Sequence, residues 1–235
     1  MGVVEMPEHI SKQFDAELEA VRSRVLQMGG MVEEQIVKAV DALASGDIAV
    51  LDGVIEDDHR VNAMEVGLDE SCSQIIARRQ PAASDLRLIM AIIKTITDLE
   101  RIGDEAEKIA RMAKLIHGAE RGQLPRLEMK HVANLALSML RNALDAFARL
   151  DVNAALQVVK QDRGVDDEFR SILRQLITFM MEDPRTITCS LEILFVAKAI
   201  ERIGDHAKNM AEYVVYMVDG RDVRHTREEP HIEGL

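Results

Sequence analysis

The sequence ERIGD at residues 100–104 is repeated without change at residues 201–205. Each copy comes late in a long segment whose apolar residues recur at the three-and-four spacing of an α-helix. An identical pentapeptide at equivalent points of two such segments indicates a duplicated unit. The repeat therefore predicts two copies of one helical arrangement that has kept the same carboxylates.

Two further amphipathic segments precede the first copy. Apolar residues recur at helical spacing over residues 10–43, across a Gly29-Gly30 pair that is a potential kink. A second helix is predicted to begin after Asp47, a residue type that caps helices, and to end at Gln80-Pro81. A third is predicted over about 82–116, so the first half contains three helices.

The second half repeats this plan. Asp58 superimposes on Asp162 with a shift of 104 residues, whereas the ERIGD copies are 101 residues apart, so three residues are missing around the turn at Glu182-Asp183-Pro184. Amphipathic helices joined by short turns are typical of up-down-up bundles. The sequence thus predicts an all-α fold of two tandem three-helix bundles. We place them at 9–118 and 126–220, before a C-terminal tail at 221–235.

Composition is consistent with a helical protein that does not bind nucleic acid. Of 235 residues, 47% are apolar but only 3% are aromatic, and Trp is absent. This mixture favours helices over strands and can fill a sizeable core. The formal net charge of -12 argues against a nucleic-acid partner and fits bound cations, basic partner surfaces or simply an acidic, solvated surface.

Cysteine usage points to a reducing compartment, and hydropathy points to a chain without a membrane span. Cys72 and Cys189 lie far apart and are predicted to be small core residues, not a disulfide or a thiolate metal site. The N-terminal residues lack the pattern of a secretion signal, and no apolar run approaches the ~18 to 20 residues of a membrane span. We expect a cytoplasmic chain with no direct membrane span.

Both carboxylates of each ERIGD copy are predicted to face the bundle interior. With an advance of about 100° per residue, Glu100 and Asp104 lie about 20° to either side of Ile93, which belongs to the apolar stripe. Glu201 and Asp205 hold the same positions in the second half. Charged carboxylates in an apolar interior repel each other and need partners.

The second helix of each half adds a polar pair to its own inward stripe. Asp58 and Asn62 lie four residues apart in the first half, and Asp162 and Asp166 hold the equivalent positions in the second. Four oxygen-bearing side chains thus converge in each bundle, a set that suits hard cations such as Mg, Mn or Fe. The alternatives are that the ERIGD arginines pair with these acids, or that the stripes reach solvent at a bundle edge.

Glycines and histidines lie beside the proposed ligands. Gly103 and Gly204 either allow a ligand or a neighbouring helix to approach the backbone closely, or are packing glycines. His59 and His206 differ from their counterparts in the other half. We predict that both histidines lie on the surface.

These motifs resemble the PhoU family of phosphate-signalling regulators. The resemblance rests on both ERIGD segments, the two-repeat plan, ARRQPAASDLR at Ala77–Arg87 and MMEDPR at Met180–Arg185. It covers the chain from about His9 to Val223. It implies two three-helix bundles with one multinuclear site or cluster in each, for iron or other metal ions such as Mg, Mn or Zn.

The resemblance assigns metal binding to side chains on the second and third helices. The matching residues are Glu100, Asp104, Glu201 and Asp205 on the third helices and Asp58, Asp162 and Asp166 on the second. Asn62 departs from the acidic pattern of the family. It still offers a carbonyl oxygen, but it weakens the charge of the first site.

The resemblance further implies a non-enzymatic negative regulator of phosphate uptake and phosphate-starvation signalling. Members are thought to connect the ATPase subunit of a phosphate ABC transporter with a membrane-bound sensor histidine kinase. The chain would then be cytoplasmic and peripherally associated with membrane complexes through these partners. A homodimer fits an exposed bundle face.

Two other functions fit the same residues. A carboxylate-bridged di-metal oxidase or metal-storage protein of the ferritin-like type would use ExxH motifs, and the chain offers Glu56-x-x-His59 and Glu128-x-x-His131. However, Glu56 lies about 160° from Asp58 around its helix. The other alternative is a metal-free helical adaptor whose acids are structural. No phosphate-binding loop or nucleophile motif is present, so we expect no catalytic activity.

Overall fold

The computed structural model describes residues 12–118 and 129–223, and all regular structure in these ranges is helical. Six α-helices are present there: α1 Lys12–Ser45, α2 Ile48–Arg79, α3 Ala83–Gly118, α4 Met129–Arg149, α5 Val152–Glu182 and α6 Ile187–Asp219. A short 3-10 turn, Pro184–Thr186, precedes α6. The expected all-α class is confirmed. None of the helices in these two ranges combines the length and the hydropathy of a membrane span.

The two halves follow the predicted three-helix plan. α1 to α3 lie within the expected first bundle, and α4 to α6 lie within the second. Residues 9–11, most of the linker between the bundles and the tail from residue 224 lie outside the described residues. The bundle boundaries therefore remain a prediction.

Local sequence signals set several helix ends. Asp47 precedes α2, and its side chain accepts a hydrogen bond from the backbone N of Val50 at 3.2 Å. Asp151 caps α5 in the same way, accepting from the backbone N of Ala154 at 3.0 Å. α2 ends where Gln80 adopts a left-handed conformation with φ 45°, directly before a proline that disfavours further helix. The predicted ends of the second helix are confirmed.

The third helix of each half forms the centre of the molecule. α3 packs against α1 and α2, while α6 packs against α4 and α5. The most extensive contact between helices joins α3 to α6, and α1 also contacts α4. Buried apolar residues from all six helices form one continuous core. The ERIGD copies thus lie on the two helices that connect the bundles.

Gly29 forms a close contact between the halves. α1 continues through the Gly29-Gly30 pair without interruption. A Cβ added at Gly29 would lie 2.5 Å from Cδ2 of Leu144 on α4, far closer than the ~3.5 to 4.0 Å at which non-bonded carbon atoms pack. The missing side chain therefore allows α1 and α4 to approach each other, which explains a glycine that weakens the helix locally.

The two cysteines carry free thiols, as expected. Cys72 is fully buried in the core, whereas Cys189 is only half-buried. Burial raises the pKa of the Cys72 thiol to about 11. Because the thiolate is the reactive form, this buried thiol is inert at neutral pH.

Candidate metal centre

The proposed ligands form two groups, one in each bundle, where the second helix packs against the third. Asp58 and Asp162, which come from the second helices, are buried. The third-helix acids Glu100, Glu201 and Asp205 are half-buried, whereas Asp104 is exposed. The expectation that every ERIGD carboxylate faces the interior is therefore wrong for Asp104. Contact with water lowers the cost of its charge.

Three aspartates form a compact cluster in the second half. Asp162 and Asp166 from α5 and Asp205 from α6 each offer a carboxylate oxygen, and these oxygens lie within 4.8 Å of one another. Oxygen ligands lie roughly 2.0 to 2.6 Å from Mg²⁺ or Ca²⁺, so oxygens this close can share one ion. The cluster therefore fits a hard divalent cation. Glu201 is not part of it.

Basic side chains neutralise part of the second group. The pairs are Lys208 with Asp162 at 2.6 Å, Lys198 with Glu201 at 2.5 Å and Arg170 with Asp166 at 3.5 Å. Among the described residues, no lysine or arginine forms a salt bridge with Asp205. Burial, followed by repulsion from Glu201, raises the pKa of the Asp205 carboxyl. A bound cation would relieve this repulsion.

In the described part of the chain, no lysine or arginine forms a salt bridge with Asp58, Glu100 or Asp104 of the first half. Burial raises the pKa of Asp58 and Glu100, partial loss of contact with water raises that of the more exposed Asp104, and repulsion adds to each rise. The strongest repulsion on Asp58 and Glu100 comes from Asp104. Arg101 and Arg202 lower the pKa of Asp104, but neither forms a salt bridge with it. This group is therefore less neutralised than the second.

Two side-chain oxygen atoms of the first group are buried and have no hydrogen-bond partner. Asn62 Nδ2 donates to Asp58 Oδ2 at 3.0 Å, whereas Asp58 Oδ1 and Asn62 Oδ1 are buried and unpaired. An unsatisfied buried polar group costs about 1 to 3 kcal/mol. Carboxylate and amide oxygens are ligands that hard cations prefer. The residues present thus fit a metal ion, although no three carboxylates here are as close as those of the second half.

Gln35 on α1 is a candidate ligand that sequence reasoning missed. It is 5% exposed, and both its amide O and its amide N lack partners. A Cβ at Gly103 would lie 3.4 Å from each of three atoms, Gln35 Oε1, Asp58 Oδ1 and Val61 Cγ1, so the glycine lies beside both oxygens and one apolar group. The available signal was a Gln within an apolar stripe, at the position that Met139 occupies in the second half.

Gly204 does not share the role of Gly103. A Cβ at Gly204 would meet only side-chain atoms of Val165, the nearest at 3.4 Å. This is ordinary apolar packing between α5 and α6. Packing against the valine of the second helix, Val61 or Val165, is thus common to both ERIGD glycines, whereas polar atoms lie beside Gly103 alone of the two.

The contact between α3 and α6 contains a buried polar network. Arg202 does not pair with the proposed ligands but with Glu105, at 2.7 Å. His206 is 7% exposed, and its Nδ1 lies 2.7 Å from Asp98 Oδ1. The prediction that His206 lies on the surface was therefore wrong, because the face of α6 that carries it packs against the other half. His59 is exposed, as predicted.

The ExxH motifs do not join the acidic groups. Glu56 is exposed, and the His59 ring contacts the Glu56 carbonyl of its own helix. His131 is exposed, and Glu128 lies outside the described residues. Within the described ranges, the one cluster close enough to hold a metal ion contains aspartates and no histidine.

Comparison with known proteins identifies the family of this arrangement. The PhoU domain model matches residues 25–113 and 129–214, one stretch in each half. The chain is 52% identical over 230 residues to a Pseudomonas aeruginosa phosphate-specific transport system accessory protein PhoU homolog, with 96% of this chain and 94% of the relative covered. It is 48% identical over 225 residues to the phosphate-specific transport system accessory protein PhoU of Escherichia coli, with coverages of 96% and 93%.

Solved structures agree with these relatives. The crystal structure of PhoU from Pseudomonas aeruginosa superimposes with a TM-score of 0.85 at 51% identity, covering 89% of this chain and all of that one. The phosphate transport system regulatory protein PhoU from Streptococcus pneumoniae gives a TM-score of 0.83 at 30% identity, with coverages of 90% and 99%. Because sequence and structure match over nearly the whole chain and in both halves, this chain belongs to the PhoU family.

Proposed function

We propose that this chain is a non-enzymatic negative regulator of phosphate uptake and of phosphate-starvation signalling. The observation that carries the proposal is near-full-length similarity to proteins named as accessory proteins of phosphate-specific transport systems. The absence of a known catalytic motif is compatible with a regulatory role.

The partners in this proposal are the ATPase subunit of a phosphate ABC transporter and a membrane sensor histidine kinase, with the chain acting as an adaptor between them. It would be cytoplasmic, reach the membrane through these proteins and form a homodimer. Exposed apolar residues support contacts with other proteins. Ile187, Leu191 and Phe195 recur every four residues along α6 and are 42%, 40% and 49% exposed.

Co-purification tests the adaptor proposal. The tagged full-length chain would be incubated with the cytoplasmic part of the sensor kinase or with the transporter ATPase, at low and at high phosphate. We expect retention of both proteins. Failure to retain either one, at both phosphate concentrations, would contradict the adaptor role while leaving the metal sites untouched.

We also propose that each bundle binds a metal ion or cluster of the Mg, Mn, Fe or Zn type. Asp162, Asp166 and Asp205 would hold it in the second half, with Glu201 beside them. Asp58, Asn62, Glu100 and Asp104 would hold it in the first. A bound ion would neutralise the repelling acids and cross-link the second helix of a bundle to the third.

Elemental analysis of protein purified without chelators tests the sites separately. Wild type is compared with a Glu100→Ala, Asp104→Ala variant and with a Glu201→Ala, Asp205→Ala variant. We expect each variant to lose only the metal of its own bundle. If wild type retains none of these metals after supplementation with each of them, the acids are structural and the metal-free adaptor is the correct alternative.

A ferritin-like di-metal oxidase has no support among the described residues, because no histidine joins the acidic cluster. Oxygen consumption by the purified protein with ferrous iron distinguishes it from the regulator. We expect consumption no faster than that of the buffer with iron alone. A rate that depends on the cluster aspartates would establish the oxidase instead.

A further inference from the structure

Lys208 makes the second acidic group different from the first. Its Nζ lies 2.6 Å from Asp162 Oδ2, on one of the three carboxylates of the cluster. The lysine side chain is 33% exposed and the aspartate side chain 11%, so water screens this pair only in part. Asp205 and Glu212 add further attraction for the ammonium group.

The equivalent position in the first half carries the opposite charge. With the shift of 101 residues that relates the ERIGD copies, Lys208 corresponds to Glu107. Glu107 raises the pKa of Asp58 and of Asp104, which means that it adds to the repulsion in the first group. Lys198, the other lysine of the second group, corresponds to uncharged Thr97.

We propose that Lys208 is an internal counter-ion of the second site, which holds the aspartate cluster together without metal and competes with a metal ion for Asp162. This inference rests on the metal binding proposed above. A lysine ammonium and a divalent cation both neutralise carboxylates. With its Nζ 2.6 Å from Asp162 Oδ2, Lys208 takes up one lone pair of that oxygen and repels a cation placed beside it.

The competition has two consequences. A metal ion that binds Asp162 must weaken or displace the contact with Lys208, and this costs free energy. The net affinity of the second site for metal is therefore lower than three aspartates without a neighbouring lysine would give. Without metal, the ammonium offsets the repulsion between these aspartates and stabilises the contact between α5 and α6. Among the described residues, no lysine or arginine forms a salt bridge with an acid of the first site, so these acids depend more on metal for neutralisation than those of the second site do.

Metal titration of a Lys208→Met variant tests the proposal, because Met keeps most of the apolar stem and removes the charge. Both the variant and its parent carry Glu100→Ala and Asp104→Ala, so that only the second site is measured. Mn²⁺ is the probe, and its affinity is determined by equilibrium dialysis of the full chain. We expect Lys208→Met to bind Mn²⁺ roughly tenfold more tightly than the parent.

Lys114→Met is the matched control. Lys114 also bridges a third helix to an aspartate of a second helix, Asp52, but it contacts no proposed ligand. We expect its removal to leave Mn²⁺ affinity unchanged. Equal or weaker binding by Lys208→Met, in a parent that does bind Mn²⁺, would overturn the role of Lys208. A wild-type protein that binds no Mn²⁺ at either site would overturn the proposed metal binding as well.

Stability without metal gives a second readout. In the presence of EDTA, we expect Lys208→Met to lower the melting temperature and to reduce hydrogen-exchange protection in α5 more than in α2. Lys208→Arg keeps the charge and should restore both measurements towards wild type. If Lys208→Met is as stable as wild type in EDTA, the lysine does not hold the cluster together.

Discussion

Arg202 Nη1 on α6 lies 2.7 Å from Glu105 Oε1 on α3, so the residue after one proposed ligand contacts the residue after another. Arg202 follows Glu201 of the second site, and Glu105 follows Asp104 of the first. The ion pair therefore joins the second ERIGD copy to the residue that follows the first copy, across the contact between the bundles. Its glutamate side chain is 5% exposed and its arginine side chain 44%.

Removing Arg202 should destabilise the protein, because Glu105 then keeps only the longer contact with Lys108 at 3.4 Å. We expect Arg202→Ala to lower the free energy of unfolding by about 1 to 2 kcal/mol, a value reduced by the exposure of the arginine. Urea denaturation measures the change. A double-mutant cycle with Glu105→Gln should give a smaller loss than the sum of the single losses; simple additivity would contradict the pairing.

The metal-free protein should lose stability as the pH rises through and above 3.8 and 4.5, the ordinary pKa values of Asp and Glu side chains. The pKa values of Asp58, Glu100, Asp104 and Asp205 are all raised in the folded chain. The folded state therefore binds protons more tightly than the unfolded state does. The resulting stabilisation is complete below the ordinary values of 3.8 and 4.5 and disappears as the pH passes the raised values.

Melting temperatures across this pH range, in EDTA and in Mn²⁺, check the expectation. We expect the melting temperature to fall less with rising pH in Mn²⁺ than in EDTA, since a bound cation favours the ionised carboxylates. A Glu100→Gln, Asp104→Asn variant should show a smaller fall in EDTA because two of the four acids no longer titrate. A variant with the same slope as wild type would exclude these acids as its source.

His206→Ala should unfold more easily than wild type. The substitution leaves the buried Asp98 carboxylate with Asn209, whose amide lies 3.4 Å away. We expect a loss of about 2 to 3 kcal/mol in the free energy of unfolding. His59→Ala is the control, because His59 is exposed and its loss should change stability by less than about 0.5 kcal/mol. Equal effects of the two substitutions would contradict the buried contact.

Gly29 and Gly30 should respond in opposite directions to the same substitution. Gly29→Ala places a Cβ against Leu144, and we expect a loss of about 1 to 3 kcal/mol as the α1–α4 contact adjusts. Gly30→Ala meets nothing within 4 Å and should stabilise the helix by about 0.5 to 1 kcal/mol. Chemical denaturation of both variants measures the difference. If both substitutions stabilise, Gly29 does not set the distance between the halves.

Gln35→Met should stabilise the metal-free protein and weaken metal binding in the first half. The new side chain has a similar volume and removes two unpaired buried amide atoms, which we expect to add about 1 to 2 kcal/mol in EDTA. It also removes an oxygen beside Asp58. Unfolding in EDTA and Mn²⁺ dialysis in a Glu201→Ala, Asp205→Ala background measure the two effects. Unchanged Mn²⁺ affinity would exclude Gln35 as a ligand.

The sequence by itself determined the helices and the faces that carry the acids. Helical periodicity and caps such as Asp47 act within a few residues, so they predict where helices end. The same periodicity predicted that Asp58 and Asp162 interrupt apolar stripes, and both are buried. The duplication was also evident from the sequence, because identical residues recur at corresponding positions.

Only the tertiary structure decided which groups meet these acids. Gln35 reaches the first site from a different helix, and His206 is buried because α6 packs against α3. Lys208 contacts Asp162 because α5 and α6 run side by side. Asp104 is exposed, although its position in the apolar stripe predicts that it is buried. Periodicity describes one helix at a time, whereas the partners of a charge depend on how whole helices are placed against each other.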